Sequence, residues 1–97
     1  MKFILEIKEK AKNGATDAFL YYEEQQTGLG DRFLDKMELR LNEVAKHPKL
    51  CAEKYNQFRQ TLIKPFPYLI IFEIIENTIV VHKVIYAKRH PKKLYKG

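Results

Sequence analysis

The segment Tyr68–Ile75 places the strongest constraint on the fold of this chain. It is apolar on both faces of a strand except for Glu73. A strand with one face in water alternates between apolar and polar residues, whereas a strand that is apolar on both faces must be covered from both sides. The sequence therefore predicts a sheet in which Tyr68–Ile75 is a central strand.

Three further segments have the two-residue period of strands. Residues 2–8 carry apolar side chains at every second position, which predicts a half-buried first strand. Phe58–Lys64 alternates as well and ends before two prolines, which cannot continue a ladder of backbone hydrogen bonds. Thr78–Tyr86 is rich in β-branched side chains and follows a tight-turn candidate, Glu76-Asn77. We therefore expect four strands.

Between the first and second strands the period becomes helical. Asn13-Gly14 is a turn signal that ends the first strand region, and Asn13 or Thr16 could cap the helix that follows. Gly28 suits the left-handed position after a helix end, so we expect this helix to end near Thr27. The core-facing stripe of the helix, with the spacing i, i+3, i+4, i+7, consists of Ala15, Ala18, Phe19 and Tyr22.

A second helix is predicted after the short link Gly28-Leu29-Gly30, with Asp31 as its N-cap. His47-Pro48 ends it, because the residue before a proline is pushed out of the helical region. The short link makes the two helices an antiparallel hairpin. Residues 48–57 lack periodicity and are predicted to form a connecting loop. The apolar face of the second helix consists of Phe33, Leu34, Met37, Leu41, Val44 and Ala45.

The resulting order of elements is β-α-α-β-β-β. It predicts an α+β domain in which a helical hairpin packs on a mostly antiparallel four-stranded sheet. The 97 residues allow a single domain, 1–97, with a basic tail at about residues 90–97. No apolar run approaches the roughly 20 residues of a membrane span, and Glu6 interrupts any signal-peptide core. The lone Cys51 excludes an internal disulfide, so we expect a cytoplasmic protein.

The positive charge of the chain lies at one end of the sequence. There are 18 Lys and Arg residues against 12 Asp and Glu residues, and all the acids fall within residues 1–82 together with 12 of the bases. The excess of six comes from the last fifteen residues, which hold Lys83, Lys88, Arg89, Lys92, Lys93 and Lys96. Such a segment indicates an anionic partner, either a nucleic acid or an acidic peptide.

The late strands also bring a candidate site together. In a meander, Lys64 and Tyr68 lie at one end of the sheet, and Tyr86 and Arg89 approach the same end, whereas Arg59 lies further along its strand. A cationic, aromatic-lined cleft of this kind can bind a phosphodiester. RNA cleavage would need cations to stabilise the phosphate and groups to transfer protons. The cations would be Arg59 and Arg89, and the proton-transfer groups would be Tyr86, Lys88 or His90.

The same residues also permit a purely structural interpretation. Arg59 could pair with a helix acid such as Glu23 or Glu24, and the strand tyrosines could be core aromatics with a wet hydroxyl. Lys92, Lys93 and Lys96 could simply keep the C-terminus soluble. The sequence also lacks a Gly-rich phosphate loop and a metal-ligand spacing among His47, His82 and His90. We therefore expect no cofactor and no metal, with His82 a half-buried or surface strand residue.

An ordered series of residues resembles the RelE/ParE toxin superfamily, and most closely its ParE-type, plasmid-stabilisation branch. The likeness spans about residues 3–93. The series consists of Tyr21-Tyr22-Glu23, Gly28-Leu29-Gly30, Phe33-Leu34, Pro48, Tyr55, Arg59, Phe66-Pro67-Tyr68 and Arg89-His90-Pro91.

The resemblance implies a toxin of a type II toxin–antitoxin pair, neutralised by an antitoxin with an acidic or amphipathic segment. RelE-like members cut mRNA on the ribosome, and ParE-like members act on DNA gyrase. Arg59 matches the arginine of the second strand and Arg89 the arginine near the end, whereas Tyr86 falls where many relatives carry histidine. This departure favours a ParE-like toxin over an mRNA endoribonuclease.

For the ribonuclease, the resemblance makes Arg59, Tyr86 and Arg89 the catalytic candidates. A non-enzymatic basic module that binds nucleic acid is a further alternative. For any of these functions, the candidate target-binding residues are Lys64, Tyr68, Lys88, His90, Lys92 and Lys93.

Overall fold

The computed structural model describes residues 3–88, which form two helices and five strands. In chain order the elements are β1 (Ile4–Ile7), α1 (Glu9–Gln25), α2 (Leu29–Lys46), a short 3₁₀ helix (Pro48–Leu50), β2 (Glu53–Tyr55), β3 (Phe58–Leu62), β4 (Tyr68–Ile75) and β5 (Thr78–Tyr86). The basic tail at about residues 90–97, together with Arg89, lies outside the described residues.

The strands form one sheet in the order β1-β5-β4-β3-β2, so β4 is the central strand, as predicted. Strand β1 pairs with β5 in parallel, and the other neighbours are antiparallel. Side chains from both faces of β4 are buried: Ile70 and Phe72 pack beneath the helices, whereas Leu69 and Ile71 form a separate cluster on the opposite face. The predicted α+β architecture, with a helical hairpin on a mostly antiparallel sheet, is confirmed.

The sheet has five strands rather than four because the predicted loop 48–57 contains a strand. Strand β2 pairs with β3 in an antiparallel manner, with Glu53 opposite Arg59. It is only three residues long, and all three residues are exposed. An exposed edge strand of this length has no buried side to produce an apolar alternation, which explains why the sequence did not reveal it.

Helix α1 begins at Glu9, before both predicted caps, Asn13 and Thr16, and before Ala15, where the predicted apolar stripe starts. Asn13-Gly14 is therefore not a turn but lies within the helix. Gly14 has a packing role instead, because a Cβ atom there would lie 2.2 Å from the carbonyl oxygen of Val84 in β5. The glycine allows the helix to approach the sheet backbone closely.

The link between the helices is fixed by a side chain of α1. Gly28 has a φ of 90°, the left-handed conformation predicted for it. Asp31 lies in the first turn of α2 and is not its N-cap. The carboxylate of Glu23 accepts hydrogen bonds from the backbone N–H of Gly28 at 2.9 Å and of Gly30 at 3.0 Å. Glu23 therefore satisfies backbone donors that the start of α2 would leave without partners.

Candidate functional site

The register of the sheet brings the predicted tyrosines together at one end. Tyr68, the first residue of β4, is opposite Tyr86, the last residue of β5, and their ring centroids are 5.8 Å apart. Lys64 lies at the same end, because the backbone N–H of its neighbour Ile63 donates to the carbonyl oxygen of Tyr68 at 2.9 Å. Three residues of the predicted cleft thus lie at one end of the sheet.

Two tyrosines of α1 complete an aromatic group at this position. The Tyr22 ring lies 5.9 Å from that of Tyr68 and 5.2 Å from that of Tyr21. We call Tyr21, Tyr22, Tyr68 and Tyr86 the tyrosine cluster. The rings of Phe33 and Phe66 pack against Tyr22 from the core side, and Phe33 also packs against Tyr68.

The environment of Tyr22 favours the neutral phenol. Burial raises its pKa above the ordinary value, and the neighbouring phenols of Tyr68, Tyr21 and Tyr86 act in the same direction. The phenol of Tyr22 therefore stays protonated to a higher pH than an ordinary tyrosine. Tyr21 and Tyr86 are 54% and 39% exposed, so the cluster presents two accessible rings and a partly buried centre.

Sequence reasoning did not include Tyr21 or Tyr22 in the site. The sequence places Tyr22 on the apolar stripe of the first helix and in the series that carries the family resemblance, but in neither case at the site. The signal that could have found it is its position near the end of α1, since an antiparallel hairpin places one end of each helix beside one end of the sheet. Which end of the sheet it meets depends on packing that no local pattern contains.

Arg59 lies away from the tyrosine cluster. It pairs with Phe72, four residues along β4 from Tyr68. Along the strand direction, the backbone of Arg59 is therefore about 13 Å from that of Tyr68. Since β3 and β5 flank β4, two strand spacings, or about 10 Å, also separate Arg59 from Tyr86 across the sheet.

The guanidinium of Arg59 is used inside the fold. Its Nη1 donates to the carbonyl oxygen of Cys51 at 2.6 Å, and its Nη2 lies 4.0 Å from the carboxylate of Glu53. The side chain is only 18% exposed. The alternative that Arg59 pairs with Glu23 or Glu24 is wrong, because its acidic neighbour is Glu53 and the Glu23 carboxylate binds the start of α2. Arg59 fastens the segment that precedes β2 to the sheet.

The remaining predicted site residues lie at or beyond the end of the described part. Lys88 is exposed two residues after Tyr86. Arg89, His90, Lys92 and Lys93 fall outside the described residues, and their assignment to the site stays a prediction.

His82 is a half-buried strand residue, as expected. Its Nε2 lies 2.7 Å from an Oε atom of Glu73, and its ring contacts Phe58 at 5.4 Å. Within residues 3–88, no group of three His, Cys, Asp or Glu side chains is arranged to hold a metal ion. Neither helix in this part of the chain is long and apolar enough to cross a membrane.

Solved structures share this fold. The chain is similar to a structure of the chromosomal ParDE toxin–antitoxin system from P. aeruginosa, with a TM-score of 0.80, 10% identity, and coverage of 90% of this chain and 98% of the other. It is also similar to the isolated E. coli RelE toxin, with a TM-score of 0.66, 15% identity and coverage of 95% and 92%. A copper-bound mutant toxin from Helicobacter pylori matches with a TM-score of 0.55, 16% identity and coverage of 87% and 93%.

The sequence comparisons identify the family. A search of curated protein sequences found no significant match. The family model described as the ParE toxin of the type II toxin–antitoxin system parDE matches residues 5–91, which is most of the chain. With the β-α-α-β order and the central β4 strand already established, this match means that the chain belongs to the ParE toxin family of type II toxin–antitoxin systems.

Proposed function

We propose that this ParE-type toxin acts on DNA gyrase in the cytoplasm and that a cognate antitoxin neutralises it. The family is one half of a two-component system, so an antitoxin partner follows from membership. The target does not follow from the fold, since one fold serves several activities. The choice between gyrase and mRNA has to come from the site.

The position of Arg59 is the observation that favours gyrase. Cleavage of a phosphodiester needs a base, a cation and an acid within hydrogen-bond reach of one phosphate. Arg59 binds the carbonyl of Cys51 and lies about 13 Å along the sheet from Tyr68 and Tyr86. Because its guanidinium is already bound by this carbonyl and lies near Glu53, Arg59 is not a free cation for a phosphate held by the tyrosines.

The tyrosine cluster is better suited to binding than to cutting. Tyrosine is enriched at the energetically dominant positions of protein interfaces, because it offers a large rigid apolar surface with one polar group. Tyr21 and Tyr86 are exposed, Lys64 lies at the same end of the sheet as Tyr68, and Lys88 follows Tyr86 by two residues. We assign this surface to contact with the gyrase–DNA complex, where lysines meet phosphates and tyrosines meet protein.

The test is a supercoiling assay with purified toxin, DNA gyrase and plasmid DNA, with cleaved gyrase–DNA complexes trapped by detergent. We expect inhibition by the native chain and an inhibitory concentration roughly tenfold higher for Tyr86→Ala, the size typical of an interface tyrosine. Tyr55→Ala is the matched control, because Tyr55 is also an exposed strand tyrosine but lies on the β2 edge.

A parallel arm measures mRNA cleavage on translating ribosomes. Codon-positioned cuts that disappear in Tyr86→Phe or Arg89→Ala, with gyrase unaffected by the native chain, would show a RelE-like endoribonuclease instead. Plasmid binding by the native chain, with neither activity present, would indicate a nucleic-acid-binding module.

A further inference from the structure

The face of the sheet that carries no helix has an apolar centre. Both helices pack against the opposite face and bury the main core there. The helix-free face has a cluster of its own, which consists of Leu69, Ile71, Phe58, Ile85 and Ala87. We call this set the outer cluster. A sheet face with an apolar centre needs a second layer over it, as the helices provide on the other side.

The centre of this face is more deeply buried than the sheet alone explains. Leu69 is 6% exposed and Ile71 is 1% exposed. Ile71 is opposite Gln60 on β3 and Lys83 on β5, so the neighbouring strands enclose it from two sides within the sheet. In residues 3–88, no helix or further sheet is stacked above it. The burial of Ile71 therefore indicates a covering segment from outside residues 3–88.

The chain leaves β5 on this same face. The backbone N–H of Ala87 donates to the carbonyl oxygen of Pro67 at 2.8 Å, which holds Ala87 beside the start of β4. The side chain of Ala87 packs against the outer cluster. The residues that follow Lys88 thus begin next to the side chains that need a cover.

Residues 89–97 have the side chains and the length for this task. Leu94 and Tyr95 are adjacent apolar residues, and His90-Pro91 suits a reversal of direction. An extended chain from Pro91 to Leu94 spans about 10 Å. Along β4, Leu69 and Ile71 lie about 7 and 13 Å from the level of Pro67. A segment that turns back at Pro91 therefore brings Leu94 over the middle of the outer cluster.

The charge of the face also admits a basic segment. Glu6 and Glu73, which both lie opposite Val80, offset the nearby Lys8 and Lys83. The face is therefore close to neutral and does not repel lysines. The surface between α2 and β3 is different, because cations prevail there.

We propose that the helix-free face of the sheet is the docking site of the chain's own residues 89–97, which cross it as a strap. Leu94 contacts Leu69 and Ile71, and Tyr95 lies at the margin with its hydroxyl in water. The strap supplies the second layer that completes the core on this side. The proposal does not depend on whether the toxin acts on gyrase, and its test needs no partner.

The strap also divides the cations at the end of the chain. Arg89 precedes the reversal at Pro91 and stays at the sheet end that carries Tyr86. The lysines beyond Pro91 are carried over the outer face, away from the tyrosine cluster. The excess charge of the C-terminal segment is then distributed over two surfaces instead of one.

Photo-crosslinking in the full chain tests the position of the strap. Tyr95→p-benzoylphenylalanine places a benzophenone in the segment, and light couples it to a C–H group within reach. The matched control is Tyr21→p-benzoylphenylalanine, at a tyrosine of α1 that is 54% exposed. Digestion and mass spectrometry of the irradiated monomer identify the coupled peptides. We expect the Tyr95 variant, and not the Tyr21 variant, to couple to the outer face of β3 or β4.

Melting temperatures followed by circular dichroism test the role of Leu94 as the anchor. Leu94→Ser should lower the melting temperature by about 5–10 °C, the effect of exposing one buried leucine in a domain of this size. Lys96→Ser, which removes a lysine that does not contact the outer cluster, should change it by less than about 2 °C. The crosslinking arm leaves Leu94 in place, so it decides the question even where Leu94→Ser does not fold.

Each other outcome overturns the strap in a distinguishable way. Coupling of the Tyr95 variant to α1, α2 or the tyrosine cluster, or no coupling at all, places the segment elsewhere. Coupling only between two chains, seen as a dimer on a denaturing gel that grows with protein concentration, means that the face is covered by a second copy. Equal melting temperatures of Leu94→Ser and Lys96→Ser refute the contact of Leu94 with the outer cluster.

Discussion

Replacing Gly14 by alanine tests the closest contact between the helices and the sheet. In an exposed helix interior this substitution is stabilising by about 1 kcal/mol, because glycine is a poor helix former. Here the new Cβ would lie 2.2 Å from the carbonyl oxygen of Val84 and 3.3 Å from its carbonyl carbon. Real Cβ atoms essentially never approach that closely, so α1 or β5 must move.

The magnitude follows from the difference between two opposing terms. Overpacking a well-filled core costs about 1–3 kcal/mol, and a backbone carbonyl held in a sheet is at the upper end because it cannot rotate away. After subtraction of the helix-propensity gain of about 1 kcal/mol, we expect Gly14→Ala to lower the free energy of unfolding by about 2 kcal/mol. For a domain of this size, this corresponds to a fall in melting temperature of about 8–16 °C.

Urea unfolding followed by circular dichroism measures this change, with Asn13→Ala as the matched control. Asn13 is exposed on the same helix, so alanine there should raise the free energy of unfolding by about 0.5 kcal/mol. If Asn13-Gly14 were a turn, both substitutions would destabilise the protein. A stabilising Gly14→Ala, or a destabilising Asn13→Ala, would therefore refute the reasoning.

Two further predictions concern the helix link and the tyrosine cluster. Glu23→Ala removes the acceptor for the N–H groups of Gly28 and Gly30 and should lower the free energy of unfolding in urea by about 1 kcal/mol. Glu24→Ala, at an exposed neighbour, should change stability little. Equal effects of the two substitutions would contradict the capping role of Glu23. The raised pKa of Tyr22 means that its contribution to stability is fully present below the ordinary tyrosine pKa of 10.0 and is lost as pH rises through the higher folded value. Unfolding measured across alkaline pH should lose less stability in Tyr22→Phe than in the native protein or in Tyr21→Phe, and an unchanged pH slope would contradict the burial of this phenol.

The late strands could be predicted from the sequence because their signals are local. Both ends of Tyr68–Ile75 and of Thr78–Tyr86 agree with the structure. Each strand is bounded by prolines or by the turn at Glu76, which adopts a φ of 56°. The short turn places Ile75 opposite Thr78, but a one-residue register shift between Ile71 and Phe72 is what brings Tyr86, rather than Ile85, opposite Tyr68. The sequence predicts only that the two tyrosines lie at the same end of the sheet.

The start of α1 could not be found from the turn signal, because packing overrides local preference there. Ala11 is fully buried and extends the stripe of Ala15 and Ala18 back by one turn. The charged run around it and Asn13-Gly14 favoured a strand end followed by a turn. Whether Asn13-Gly14 forms a turn or continues the helix depends on the close packing of Gly14 against the backbone of Val84. Val84 is 70 residues away in the sequence, so no local pattern contains this contact.

The position of Arg59 shows why the candidate site was predicted only in part. Its neighbours, Cys51 and Glu53, belong to a segment whose short strand carries no apolar period. Because β2 could not be recognised in the sequence, the partners of Arg59 could not be recognised either. A strand arginine with no known partner is readily assigned to catalysis. The end of the sheet at which Tyr86 lies needed only the antiparallel pairing of two long strands, so it was predictable, whereas its position opposite Tyr68 depends on the register shift between β4 and β5.

The net charge of a segment is a poor guide to the charge of the surface that it forms. Lys83 belongs to the basic end of the sequence, yet it is only 8% exposed. Residues 1–82 are neutral in total, yet Lys36 and Arg40 of α2 and Lys64 after β3 line one cavity between these elements, because Lys36 and Arg40 recur at one helical spacing while Asp31 and Asp35 follow another. An acidic partner responds to the potential of the surface and not to the order of charges along the chain. The surface between α2 and β3 is thus basic although it is separate in sequence from the C-terminal excess, and Lys64 places its margin at the sheet end that carries Tyr68.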